Sequence, residues 1–267
     1  MTTELSFETT VSADGTKIGY VRRGSGPGLV IAHGSLQRSD HWIPVIEHLA
    51  DHFTCFAHDR RGRGRSGDAE DYDLDTEVAD IAAMMEVAGP DAHLLGHSYG
   101  ALCALAYAER RGHDGYIIAF EPPLAVDGPI AGDRLPRYRE LISAGDRDAA
   151  VEHALIHFVR VPPEAIPMLR QTPLWDVCVE LAPTWVRELE QIDALGDDLT
   201  HYASIKSPMR LIAGGATTPF LLQSARTLAD VVPQASLIEL DGRDHFANMS
   251  DPAGLATAIA DSLRVRP

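Results

Sequence analysis

Positive charge is scarce in this 267-residue chain: 23 Lys and Arg stand against 39 Asp and Glu, a formal net charge of −16. A field of that sign repels phosphate backbones and anionic headgroups, which counts against nucleic acid and membrane surfaces as partners. Cysteine is nearly missing as well. Cys55, Cys103 and Cys178 are odd in number, far apart and set among apolar residues, so they read as buried free thiols in a reducing compartment, not as a disulfide framework. No apolar run approaches the roughly 18 residues of a membrane span, and residues 1–15 hold neither the basic stretch nor the apolar core of a secretory leader. A cytoplasmic location is the expectation. The chain also lacks Cys/His clusters at metal spacing, a G-x-G-x-x-G opening a helix after a strand, and a P-loop, so neither a metal nor another cofactor is expected. Internal repeats and low-complexity tracts are absent too.

What is present is an ordinary globular balance, 45% hydrophobic and 23% charged residues, on a chain long enough to bury roughly three quarters of its extended surface in one large domain. β-Branched stretches at 5–11 and 16–21, separated by the turn Ala13-Asp14-Gly15, predict a hairpin. Short apolar runs at 29–32, 53–57, 92–96 and 116–120 then alternate with helical spacing at 39–50, at Val78, Ile81, Met84, Met85 and Ala88, and at 99–111. Strands that read as continuous apolar runs are buried on both faces, so the alternation predicts an α/β fold with a mainly parallel, twisted sheet flanked by helices. From 122 to 207 the strand signal lapses into proline-punctuated amphipathic stretches, among them 133–143, 147–159 and 184–194. The rhythm resumes with strands at 209–213 and 236–240 and helices at 220–232 and 252–263. The expected organisation is a core from residues 1–122 and 207–267, interrupted by a helical lid over 123–206.

Gly96-His97-Ser98-Tyr99-Gly100 matches G-x-S-x-G. The pentapeptide alone is weak, but Leu94 and Leu95 end a strand just before it and an apolar helix opens just after. Such an elbow holds Ser98 at a strained backbone position with its hydroxyl exposed, and the glycines remove side chains that would collide with neighbouring backbone.

On these residues the chain resembles the α/β-hydrolase family, over essentially its whole length. His33-Gly34-Ser35, after an early strand, is similar to the family's oxyanion loop. The resemblance implies that the backbone N–H groups of Ser35 and Tyr99 hold the oxyanion, each preorganised donor being worth roughly 3 kcal/mol. The loop from Asp59 to Ser66, with Arg60, Arg61, Arg63 and Arg65, looks like the family's D-x-R-G-x-G-x-S. Its arginines read as structural, with an anion pocket as the alternative. Gly242-Arg243-Asp244-His245-Phe246 stands where the family places its base, so His245 is the candidate to take the serine proton and return it to the leaving group. His33 and His97 read as supports of the elbow and oxyanion loop, with direct substrate contact as the alternative.

The acid departs from the family pattern. The loop after 209–213 reads Gly214-Gly215-Ala216-Thr217-Thr218-Pro219, with no carboxylate. Glu121 ends the strand at 116–120, where some relatives, including certain haloalkane dehalogenases, place the acid, and the order Ser98, Glu121, His245 keeps the family's nucleophile, acid, base. A Ser-His-Glu triad is expected, with a Ser-His dyad oriented by Thr217 or a backbone carbonyl as the other reading. Asp241 and Asp244 read as fixing the His245 turn, because a near neighbour in sequence seldom reaches around to the imidazole. Trp42, Trp175, Trp185 and Phe220 are either walls of an apolar substrate pocket or simply core.

These residues lead to a cofactor-independent serine hydrolase (carboxylesterase- or lactonase-like) that cleaves a small or medium ester, lactone or thioester through an acyl-enzyme on Ser98. A C–C bond hydrolase of a diketone-like compound is one alternative. A ligand-binding protein or biosynthetic cyclase on the same fold is another. The expected partner is a small-molecule substrate, and assembly into a homo-oligomer is left open.

Overall fold

The computed structural model describes residues 4–264; residues 1–3, where the segment read for a leader begins, and 265–267 lie outside the described residues. The predicted hairpin is β1 (Ser6–Val11) paired antiparallel with β2 (Lys17–Gly24). The alternation then runs β3 (Gly28–Ala32), α1 (Ile43–Leu49), β4 (Thr54–His58), α2 (Leu74–Ala88), β5 (His93–His97), α3 (Tyr99–Arg111) and β6 (Ile117–Phe120). Four helices follow before the next strand: α4 (Leu135–Ser143), α5 (Arg147–His157), α6 (Ile166–Leu169) and α7 (Pro173–Ala194). The chain closes with β7 (Met209–Gly214), α8 (Pro219–Val231), β8 (Ala235–Leu240), α9 (Ala247–Ser250) and α10 (Pro252–Arg264).

The eight strands form one sheet in the order β1-β2-β4-β3-β5-β6-β7-β8, parallel throughout from β3 to β8. Successive side chains on a strand point to opposite faces, and the core splits accordingly. On β3, Val30 and Ala32 join one apolar cluster while Leu29 and Ile31 join the other; on β6, Ile117 and Ala119 part from Ile118 and Phe120 in the same way. The first cluster is covered by α2, α3 and α8 and continues into the inserted helices. The second is covered by α1 and α10, through residues such as Val45, Ile46, Leu255 and Ile259. All three cysteines are free and buried, and no helix among the described residues is long and apolar enough to cross a membrane.

Two helices differ from the sequence pattern, both because of proline. The stretch 39–50 divides into a 3-10 turn, Ser39–Trp42, and α1, since Pro44 has no N–H to donate and fits only a first turn. In α7 the opposite happens. The helix expected at 184–194 begins at Pro173 and runs through Pro183, because Trp175, Cys178, Leu181, Trp185, Leu189 and Ile192 bury one continuous stripe that outweighs the lost backbone hydrogen bond.

Parallel strands bring their C-terminal ends to one edge, where open α/β sheets gather their ligands. Ser35 follows β3, Ser98 follows β5, Glu121 follows β6, Thr217 follows β7 and His245 follows β8.

Candidate active site

Ser98 stands between the last residue of β5 and the first of α3 with φ 53 and ψ −122, a conformation that costs a non-glycine residue about 1–3 kcal/mol. Its neighbours impose it: the Ser98 N–H donates to Phe120 O at 2.9 Å, and Ser98 O accepts from Ala101 N at 2.8 Å. A Cβ at Gly96 would lie 2.2 Å from Gly100 O, and one at Gly100 would lie 2.2 Å from Ala32 O, so only glycine lets strand and helix meet this closely. Gly34 is packed equally tightly, 2.9 Å from Ser98 Cβ for an added Cβ, which brings the Gly34-Ser35 loop against the elbow. Among the described residues, neither the Ser35 nor the Tyr99 backbone N–H is bonded to an acceptor in the chain.

Glu121 is fully buried and itself stands at φ 49. Its Oε2 lies 2.5 Å from His245 Nδ1 and accepts from Thr217 Oγ1 at 2.9 Å, while Oε1 accepts from Gly214 N at 2.7 Å. The loop that lacks a carboxylate thus supplies two donors to one arriving from the neighbouring strand. Thr217, the alternative partner of the imidazole, bonds Glu121 instead of the ring.

His97 ties the parts together. Buried against Phe120, with ring centroids 4.7 Å apart, it donates from Nε2 to His245 O at 3.0 Å, and its Nδ1 lies 3.3 Å from Gln37 Oε1. Burial, reinforced by His245, holds its pKa well below the usual histidine value, so it stays neutral. Gln37 Oε1 accepts from Gly34 N at 3.4 Å and Trp42 Nε1 at 3.3 Å. His33 is buried likewise: its Nδ1 faces Gly34 O at 2.8 Å and its Nε2 accepts from Arg60 N at 3.1 Å. Burial, and then Arg63 and Arg60, keep it neutral.

Two clefts meet at this point, sharing Ser35, Ser98, Val159, Trp185 and His245 as walls. One extends along Leu155, Leu174, Cys178, Phe246 and Met249; the other along Ile130, Phe158, Leu189, Ile192 and Phe220. Trp175 lies further out, beside Leu155, Leu174 and Cys178, its indole donating to Asp148 at 2.8 Å. The structure does not bring His33 or Trp42 to either cleft; both sit behind the Gly34-Ser35 loop, spent on its backbone and on Gln37.

Three of the loop's arginines, Arg60, Arg61 and Arg63, face inward, while Arg65 is exposed. Arg60 pairs with Glu77 and Glu188, Arg61 with Asp80 and Asp14, Arg63 with Glu188, and Arg65 with Asp59. Burial alone would raise the pKa of Glu77, but Arg60 overrides it and holds the carboxyl at about 2. None of these guanidiniums lines the clefts. Glu188, on α7, and Gln37 escaped the sequence reading. For Glu188 a signal existed: a carboxylate on the buried stripe Leu181, Trp185, Glu188, Ile192, where only apolar residues are expected.

A parallel sheet with a strained serine at one strand end, and a carboxylate-bonded histidine at others, defines a class of hydrolytic scaffold. The chain belongs to the alpha/beta hydrolase family, whose model matches residues 29–258. It is 27% identical over 262 residues to an N-formylmaleamate deformylase of Pseudomonas putida, spanning 95% of each protein. An alpha/beta hydrolase of Sphaerobacter thermophilus has a similar solved structure, with a TM-score of 0.86, 33% identity, and coverage of 95% of this chain and 99% of that one. The enol-lactonase of Burkholderia xenovorans, at 22% identity, shares the fold with a TM-score of 0.77 over 97% of this chain and all of that one (100%). Family and relatives together support hydrolase activity.

Proposed function

We propose that this hydrolase cleaves a neutral carboxylic ester, lactone or thioester with apolar groups on both sides of the scissile carbonyl. Ser98 attacks the carbonyl carbon while His245 takes the hydroxyl proton. Glu121 fixes the imidazole with its Nδ1 protonated and stabilises the cation that forms. The Ser35 and Tyr99 N–H groups receive the oxyanion. His245 then protonates the leaving oxygen or sulfur, and water, deprotonated by His245, releases the acid from Ser98.

The observation that carries this reading is the 2.5 Å contact between Glu121 and His245 beside a serine held at a left-handed elbow. The substrate class rests on the clefts, whose extensions are apolar and hold no arginine or lysine. Arg60, Arg61 and Arg63 are all committed to carboxylates, which disfavours a C–C bond hydrolase that reads an acidic tail through this loop. Helices α4–α7, within residues 123–206, act as a lid that contributes Leu155, Trp185 and Leu189 to the walls. Three buried thiols suit a cytoplasmic location.

The test is turnover of a panel of p-nitrophenyl and alkyl esters and lactones by the wild type and Ser98→Ala. Ester hydrolysis by the wild type and its loss in the variant support the reading. Equal rates in both would reject it.

A further inference from the structure

One buried carboxylate bonds the first of the residues assigned to the oxyanion directly and connects to the second through Arg60. Glu188 Oε2 accepts from Ser35 Oγ at 2.5 Å, and its Oε1 accepts from Arg60 Nη2 at 2.7 Å and from Arg63. Arg60 lies over the Tyr99 ring, 4.6 Å from its centroid, and Tyr72, a partner of Arg60, meets the Tyr99 hydroxyl at 3.2 Å. Glu188 comes from α7, so the contact spans the inserted helices and the core.

The loop it grips needs a grip. Leu36, next to Ser35, stands at φ 55, a left-handed conformation that a leucine adopts only when its surroundings impose it. Gly34 is pressed against Ser98, and its N–H is held from one side by Gln37. The Ser35 hydroxyl is the hold from the other side. Its O–H donates to Glu188, while the neighbouring N–H stays free of acceptors in the chain.

We propose that Glu188 is a positioning residue: through the Ser35 hydroxyl it sets the Ser35 N–H for the oxyanion, so seating α7 and assembling the oxyanion site are one event. This rests on the acyl-enzyme reading of Ser98 and Ser35. Loss of the hydroxyl leaves the N–H in the chain but unanchored, and displacement of a preorganised donor lowers kcat more than it changes ground-state binding. Removing the Glu188 charge would also leave Arg60 with Glu77 alone and take from Arg63 the carboxylate it pairs with, so Ser35 is the cleaner position to vary.

Steady-state kinetics with p-nitrophenyl butyrate on the wild type, Ser35→Ala, Ser35→Thr, Glu188→Gln and the Ser35→Ala/Glu188→Gln double variant decide the matter. Thermal melts establish that each is folded. Expected are a kcat at least about tenfold lower in Ser35→Ala with KM within about twofold, and recovery of most of that loss in Ser35→Thr. The double variant should be no worse than the weaker single by more than about twofold, because both changes break one link. A purely structural role would lower the melting temperature and leave kcat alone. An active wild type with Ser35→Ala within twofold of it overturns this proposal only. If Glu188→Gln fails to fold, the Ser35 pair still decides. A wild type that neither turns over esters nor acylates Ser98 overturns the acyl-enzyme reading and this proposal with it.

Discussion

The Glu121 carboxylate lies 2.5 Å from His245 Nδ1 across 124 residues of chain, and it arrives from β6, not from the loop after β7. That loop is still engaged: Gly214 N–H and the Thr217 hydroxyl hold the carboxylate in place. The carboxylate comes from the neighbouring strand, and the loop that has none of its own supplies two of its hydrogen-bond donors.

Glu121→Gln therefore tests the assignment of the acid. Gln keeps the shape but loses the charge that favours the imidazolium, so kcat should fall at least about a hundredfold with the fold unchanged. Ester kinetics with circular dichroism as control measure this; a fall below tenfold would point to a dyad.

The two clefts should respond separately. Cys178→Phe narrows the one containing Leu174 and Phe246, and Phe220→Ala widens the other. Esters lengthened on one side only should lose about tenfold in kcat/KM with the first variant, and bulkier groups on the opposite side should gain with the second. A matrix of acyl and alcohol lengths reads both; parallel changes along both axes would mean that a single cleft binds the whole substrate.

Gly100→Ala should cost about 3 kcal/mol, since the new Cβ would sit 2.2 Å from Ala32 O and the backbones of helix and strand cannot part without unpacking the elbow. Urea unfolding gives the number. Stability within 0.5 kcal/mol of wild type, about the scatter of neutral surface changes, would contradict the packing argument.

Acid should weaken the fold before its carboxylates titrate. Burial pushes the pKa of His58 down to about 4, so the folded protein keeps it neutral while the unfolded chain takes up a proton below about 6.5. Its contribution is complete above that value and is lost as pH falls towards 4. From pH 7 to pH 5 His58 alone should remove about 2 kcal/mol, and buried His33 and His97 act in the same direction. Urea midpoints at the two pH values, with His58→Asn as the comparison, check this; an equal slope in both proteins would exclude His58 as a source.

Much of this architecture is legible locally. The strands from β3 to β7 announce themselves as apolar runs, and the elbow is written into five consecutive residues that join the end of a strand to the start of a helix. Glu121 came into view through the family resemblance: the loop after β7 has no carboxylate, and a glutamate stands at the strand end where some relatives place the acid. What stayed hidden depends on tertiary packing. Pro183 masked the first half of α7, because only the buried stripe of the folded helix offsets a proline. Glu188 meets Ser35 across 153 residues, and no local pattern announces such a contact. Trp42 and Phe220 look alike in sequence, yet one lies behind the Gly34-Ser35 loop and the other on a cleft wall.

The most direct measurement of the central claim is intact-protein mass after exposure to a small fluorophosphonate, for the wild type and Ser98→Ala together. The account predicts one adduct on the wild type and none on the variant, the mark of a serine activated by His245. A folded wild type that takes up no adduct, or an adduct that survives Ser98→Ala, would contradict it.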